Sequence, residues 1–120
     1  MSVQRIRSSL RSPLHALVFL TAVLAGAGSA QAQPADAAYA QGKVLFLSAV
    51  PACAVCHTLK DANTEGAIGP VLDELKPDAA RVAQALRNGL GSMPSYRATL
   101  TDAQIAALAR YVSKASGGAP

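Results

Sequence analysis

The chain has 120 residues, with 11 Lys and Arg against 7 Asp and Glu, a formal charge of +4, two cysteines and no tryptophan. That length holds one domain with a small core. Three of the arginines (Arg5, Arg7, Arg11) open the chain; without that segment eight basic residues face seven acidic ones, a net of +1 that removes the electrostatic case for nucleic-acid binding.

The arginines are followed by Leu14 to Ala27, a run without charge, and by Ala30-Gln31-Ala32, a small-x-small cleavage signal. This pattern predicts a cleaved secretory signal over residues 1–32, a mature domain over 33–120 and export to the periplasm. The run is short of the roughly twenty residues that span a bilayer and ends in Gly26, Gly28 and Ser29. An uncleaved anchor is the alternative; after cleavage no membrane span is expected. The mature chain, 120 less 32 or 88 residues, keeps one histidine, one methionine and four aromatics, Tyr39, Phe46, Tyr96 and Tyr111.

Residues 35 or 36 to 47 carry Tyr39, Val44, Phe46 and Leu47 among alanines and predict a first helix with Asp36 as its cap. Ser48-Ala49-Val50-Pro51 breaks it and delivers Cys53-Ala54-Val55-Cys56-His57. Two thiols three positions apart, closed by a histidine, are the spacing of c-type haem attachment. Each thiol can add to one of the two vinyl groups on one haem edge, and the imidazole that follows can coordinate the iron. Cys53 and Cys56 are therefore the candidate attachment points of one covalent haem c, with His57 as fifth ligand. Zinc normally takes four nitrogen or sulfur ligands and would find three here and at best a carboxylate. A redox dithiol normally sits in a strand–helix alternation that this sequence lacks. A plain disulfide is open chemically but leaves His57 and Met93 without a role.

Leu59 to Gly69, rich in Asp, Asn, Thr and Gly, is expected as a loop, followed by a short helical turn over 71–75. Pro77-Asp78 starts a helix with apolar face Val82, Ala85 and Leu86, stopped by Asn88-Gly89 in the left-handed region. The loop Leu90 to Leu100 holds Met93-Pro94. Thr101-Asp102-Ala103-Gln104 is a capping box opening a last helix, with Ile105, Leu108, Ala109 and Val112 as its stripe and a frayed tail from Gly117. No strand is expected. Met93 lies where no packing stripe runs, which points to a sixth ligand rather than core filler; its soft thioether favours ferrous iron. A chain so poor in aromatics gains core from a flat apolar plate.

Cys53 to His57, Gly69-Pro70 and Met93-Pro94, in this order, resemble the small class I mono-haem cytochromes c, over essentially 33 to 116. The resemblance implies an all-α fold, three to five short helices wrapped around one covalently attached haem. It implies that Pro70 gives its carbonyl to the other nitrogen of His57, a simple turn being the alternative, and that Gly42 and Phe46 cross Tyr111 at close range. It also implies that haem is attached after export. Tyr96 falls at a propionate or on the haem edge, or else is a half-buried loop tyrosine. A narrower likeness, through Cys56 to Ala62, Ile68-Gly69-Pro70 and Leu72 to Asp78, is to cytochromes that accompany periplasmic molybdenum sulfite dehydrogenases.

Two protein ligands on iron block substrates and favour outer-sphere electron transfer. The expected function is a periplasmic one-electron carrier, monomeric or weakly associated, and no enzyme itself. It would take electrons from a periplasmic dehydrogenase and pass them to a cytochrome or terminal oxidase. The expected partner surface is Ala52, Ala54, Val55 and the Met93 loop, with Lys60, Lys76 and Arg97 steering. A permanent haem subunit of a dehydrogenase complex, or a haem sensor or weak peroxidase with a labile Met93, are the rival readings.

Overall fold

The computed structural model describes residues 34–119; the expected signal segment and its cleavage point lie outside them. Five helices and one small hairpin follow in chain order: α1 Pro34–Ser48, α2 Cys53–Cys56, β1 His57–Leu59, a 3-10 turn Lys60–Ala62, β2 Thr64–Ala67, α3 Leu72–Leu75, α4 Ala79–Asn88 and α5 Asp102–Ser116. Among the described residues no helix is long and apolar enough to cross a membrane.

The frame is the crossing of α1 and α5. Gly42 makes it possible: a Cβ there would lie 2.4 Å from the Ala107 carbonyl oxygen and 2.4 Å from Tyr111 Cβ. Glycine costs a helix interior about 1 kcal/mol relative to alanine, and here the missing side chain admits the opposite backbone. Phe46 and Tyr111 are fully buried at the crossing. The rings of Tyr39 and Phe46 meet Tyr111 edge-on, with centroids 5.1 and 5.9 Å away, a geometry worth about 0.5–1.5 kcal/mol per pair beyond area burial. The stripe expected on α5 is the buried one: Ile105, Leu108, Ala109 and Val112 are all below 5% exposed.

Local signals set the helix ends. Thr101 Oγ1 accepts from Gln104 N at 3.2 Å while Gln104 Oε1 accepts from Thr101 N at 2.9 Å, a complete capping box on α5. Asp78 caps α4 by accepting from Arg81 N at 2.7 Å, and Gly89 ends it at φ 74°. Asp36 does not cap α1, because the helix already starts at Pro34 and Asp36 falls in its first turn, where its charge favours the helix dipole.

Two further expectations are corrected. Residues 57–67 form an antiparallel pair instead of a loop, because threonine hydroxyls complete a ladder that has no apolar alternation. Thr64 Oγ1 donates to His57 O at 3.0 Å and accepts from Leu59 N at 3.1 Å, and Thr58 Oγ1 donates to Gly66 O at 3.0 Å. Asn63, at φ 52°, reverses the chain. The tail is held rather than frayed over its described residues, Gly117 to Ala119. Gly118 N donates to Ser113 O at 2.8 Å and Ala79 N to Ala119 O at 3.3 Å, and the Ser113 hydroxyl also donates to Ala119 O. Ala119 thus satisfies one of the α4 amides that lack an intrahelical acceptor.

Candidate cofactor site

Between α2, the hairpin end, α3, α4, the 89–96 loop and α5 lies a cavity of about 630 Å³, within the range of small-molecule and cofactor sites. All six residues expected at the site, Cys53, Cys56, His57, Pro70, Met93 and Tyr96, line it. They come from three separate stretches of chain. The walls are otherwise mostly apolar, with Phe46, Leu72, Leu86, Leu108 and Val112. Ile68 and Leu90 also line the cavity and are 69% and 68% exposed, so they offer apolar surface for a bound group to cover.

Helix α2 is one turn long and presents both thiols, Cys53 buried and Cys56 half-buried, unpaired with one another. Burial pushes the Cys53 thiol up to about 11. It is therefore neutral at physiological pH.

His57 follows in extended conformation, φ −111° and ψ 136°, and its Nδ1 lies 2.9 Å from the Pro70 carbonyl oxygen. A carbonyl only accepts, so Nδ1 carries a proton, and in the neutral imidazole the lone pair is then on Nε2. The segment that brings Pro70 there is clamped at Cys56, whose carbonyl accepts from Ile68 N at 3.1 Å and Gly69 N at 2.8 Å. Gly69 is the floor under the ring: a Cβ on it would meet His57 Cε1 at 2.4 Å and Nδ1 at 2.7 Å. The alternative of a turn at 69–70 without a histidine contact is thus not what the geometry shows.

Met93 sits in a tight turn in which Leu90 and Met93 exchange backbone hydrogen bonds, both at 3.0 Å. Tyr96 N donates to Leu86 O at 2.7 Å and ties this loop to the end of α4. The Tyr96 ring is 3% exposed, and its hydroxyl donates to Pro51 O at 2.7 Å, joining the methionine loop to the residues just before α2. That hydroxyl proton is spent on Pro51 rather than left for a propionate, so the ring is a wall and a tether. Burial pushes the Tyr96 phenol up to about 12, with the nearby Cys53 sulfur adding to the rise.

A second polar cluster lies behind the hairpin. Tyr111 Oη donates to Asp61 Oδ2 at 2.7 Å, and Lys43 Nζ reaches Asp61 Oδ2 at 3.1 Å and Asp61 O at 2.7 Å. The Tyr111 hydrogen bond first, then Lys43, hold the Asp61 carboxyl below its ordinary value against its own burial. On the far side, Lys60 N donates to Asp73 Oδ2 at 2.9 Å. These bonds pin the tip of the hairpin whose base is His57. Sequence reasoning missed the Tyr96–Pro51 and Asp61–Tyr111 pairs, which span 45 and 50 positions and leave no local signal.

Of the expected partner surface, Val55 is exposed and Ala52 and Ala54 are half-buried, while Lys60, Lys76 and Arg97 are exposed. The residues in the cavity fit a haem: two thiols on one edge, an imidazole with a fixed tautomer, a thioether and apolar walls. Comparison with known proteins gives a family and a solved structure. The family described as cytochrome C oxidase, cbb3-type, subunit III matches residues 37–112. The crystal structure of the c-type cytochrome SorU from Sinorhizobium meliloti is similar at 51% sequence identity and a TM-score of 0.65, covering 69% of this chain and 95% of that one. No curated protein matches the chain.

Proposed function

The chain belongs to the c-type cytochromes, in the family described as cytochrome C oxidase, cbb3-type, subunit III, and on that premise we propose that it is a periplasmic one-electron carrier. Haem c is its cofactor, and what that group supplies when bound is a one-electron couple at its iron. In this reading Cys53 and Cys56 would hold it by thioethers, His57 Nε2 and the Met93 sulfur would ligate its iron, and Pro70 would set the histidine.

The chain's own residues account for the specialisation. The Pro70 carbonyl fixes the His57 tautomer, orients the ring and makes Nε2 more basic. The Leu90–Met93 turn and the Tyr96 tether limit how far the methionine loop can swing, which would keep small molecules off the iron and favour transfer over bond-making. Val50 and Val55, 81% and 63% exposed on either side of Cys53, offer a partner a small apolar contact. Weak redox encounters use such contacts. Lys60 and Lys76 add steering.

The donor in this proposal is a periplasmic dehydrogenase, with a molybdenum sulfite dehydrogenase as the specific candidate from the likeness in residues 56–78, and the acceptor is another cytochrome or an oxidase. The observation that carries the reading is the convergence of both thiols, the Pro70-bonded imidazole and the only thioether beyond the expected signal segment on one apolar cavity. Optical spectra of the exported protein test it. The oxidised form should show a weak far-red band from the iron–sulfur bond, and the reduced form should resist carbon monoxide. Met93→Ala should lose the band and bind carbon monoxide; a variant that keeps the band refutes the methionine assignment. Stopped-flow mixing with a reduced sulfite dehydrogenase tests the donor, and reduction no faster than by free dithionite in trace amounts counts against it.

A further inference from the structure

The carbonyl that meets His57 is carried on a segment with little of its own to hold it. Helix α3, Leu72–Leu75, is one turn long, and Val71 in front of it supplies no side-chain cap. A helix that short does not persist without contacts from outside. Pro70 is joined to the turn through Val71, whose carbonyl accepts from Glu74 N at 3.3 Å and Leu75 N at 3.0 Å, so where α3 goes the Pro70 carbonyl follows. Leu72 anchors the turn in the core. Among the described residues α3 makes one side-chain hydrogen bond: Asp73 Oδ2 accepts from Lys60 N at 2.9 Å.

That bond repeats the spacing of the one on the histidine. His57 and Pro70 are 13 positions apart, and so are Lys60 and Asp73, so the stretches 57–60 and 70–73 and the two bonds close a ring. The 57–60 side is stiff. Thr64 Oγ1 holds both His57 O and Leu59 N, and Leu59 is fully buried. Lys60 opens the 3-10 turn, where an amide lacks a partner within the turn, and Asp73 supplies one as a carboxylate, the stronger kind of acceptor. The bonds from Ile68 N and Gly69 N to Cys56 O tie the chain before Pro70; Asp73 ties it after. We propose that Asp73 is a positioning residue for His57: by holding α3 against the hairpin it keeps the Pro70 carbonyl on Nδ1. The inference rests on the carrier reading above, in which His57 ligates the iron.

The consequence is electronic as well as mechanical. Donation from Nδ1 makes Nε2 a better electron donor, which favours ferric iron. Without the Asp73 bond, α3 can draw Pro70 back from the ring, the donation weakens and the ferrous form gains. Removing the carboxylate also removes a negative charge, and that by itself favours the ferrous form. Asparagine separates the two effects, because it drops the charge and keeps an acceptor oxygen of the same reach. Alanine drops both.

The test compares the exported holoprotein as parent, Asp73→Asn and Asp73→Ala. Two quantities are read at neutral pH: the solvent exchange of the His57 Nδ1 proton in the reduced protein, by NMR, and the reduction potential, by spectroelectrochemistry. Asp73→Ala should exchange that proton about tenfold faster than the parent, the factor that one hydrogen bond accounts for, and should have the highest potential of the three. Asp73→Asn should gain potential from its lost charge alone and keep the exchange rate of the parent. If the alanine variant yields no holoprotein, Asp73→Ser, whose hydroxyl is too short to reach Lys60 N, takes its place with the same expected result. Asparagine and alanine (or serine) variants that coincide in both readings, with normal haem spectra, overturn the Asp73 assignment and leave the carrier reading standing, even if melting temperature falls. A colourless parent overturns both.

Discussion

Replacing Gly69 with alanine tests the arrangement that sets the histidine. The new Cβ would lie 2.4 Å from His57 Cε1, 2.7 Å from Nδ1 and 3.0 Å from Nε2, whereas carbon contacts are optimal near 3.5–4.0 Å. The ring or the backbone must therefore move by about 1 Å. Moving the ring breaks the 2.9 Å bond from Nδ1 to Pro70 O, and moving the backbone breaks the 2.8 Å bond from Gly69 N to Cys56 O. One lost hydrogen bond costs about 0.5–1.5 kcal/mol and overpacking about 1–3 kcal/mol, together about 1.5–4.5 kcal/mol. At about 4–8 °C per kcal/mol for a domain of this size, the holoprotein should melt at least about 6 °C lower, followed by far-UV circular dichroism. Its reduction potential should rise, because an imidazole without the Pro70 bond is a poorer electron donor to ferric iron. A variant melting within about 4 °C of the parent, less than 1 kcal/mol, with an unchanged potential would refute the argument.

Gly42→Ala gains about 1 kcal/mol of helix propensity but drives a Cβ to 2.4 Å from the Ala107 carbonyl oxygen. Overpacking of about 1–3 kcal/mol should outweigh that gain, lowering the guanidinium midpoint; a raised midpoint contradicts the close crossing. Tyr96→Phe keeps the ring but loses the donation to Pro51 O, so thermal stability should fall by about 0.5–1.5 kcal/mol while the far-red band persists, the ring and the Leu90–Met93 turn still holding the loop; loss of the band would mean that the hydroxyl bond alone holds the methionine loop. Asp61 has its folded pKa held below the unfolded value of 3.8. Its contribution to stability is therefore present above about pH 4 and is lost as pH falls through the lower folded pKa. Asp61→Ala should flatten that acid-side decline in urea denaturation series, and an unaltered slope counts against the Asp61–Tyr111 bond.

What could be read from residues alone was the chemistry that needs fixed spacing along the chain. The cysteine pair with its histidine is such a signal, and so is the capping box at Thr101 and Gln104, whose bonds span three positions. Met93 stood out because it lies off every packing stripe, and the structure places it on the cavity wall with the others. The hairpin was hidden because Thr58 and Thr64 build it with hydroxyl-to-backbone bonds that leave no apolar alternation. The held tail was hidden for a related reason: its partners, Ala79 and Ser113, give no hint that they need Ala119. Tyr96 shows the limit most clearly: it lines the cavity, as its place beside Met93 suggested, but nothing local in the chain pointed to Pro51 as the acceptor of its hydroxyl.

The most direct test of the account is the intact mass of the protein purified after export, with sequencing of the peptide that spans Cys53 to His57. The account predicts the mature chain plus one haem, with both cysteines of that peptide blocked as thioethers and the colour surviving acid–acetone extraction. A colourless product at the bare polypeptide mass, with both thiols free to alkylate, would contradict it.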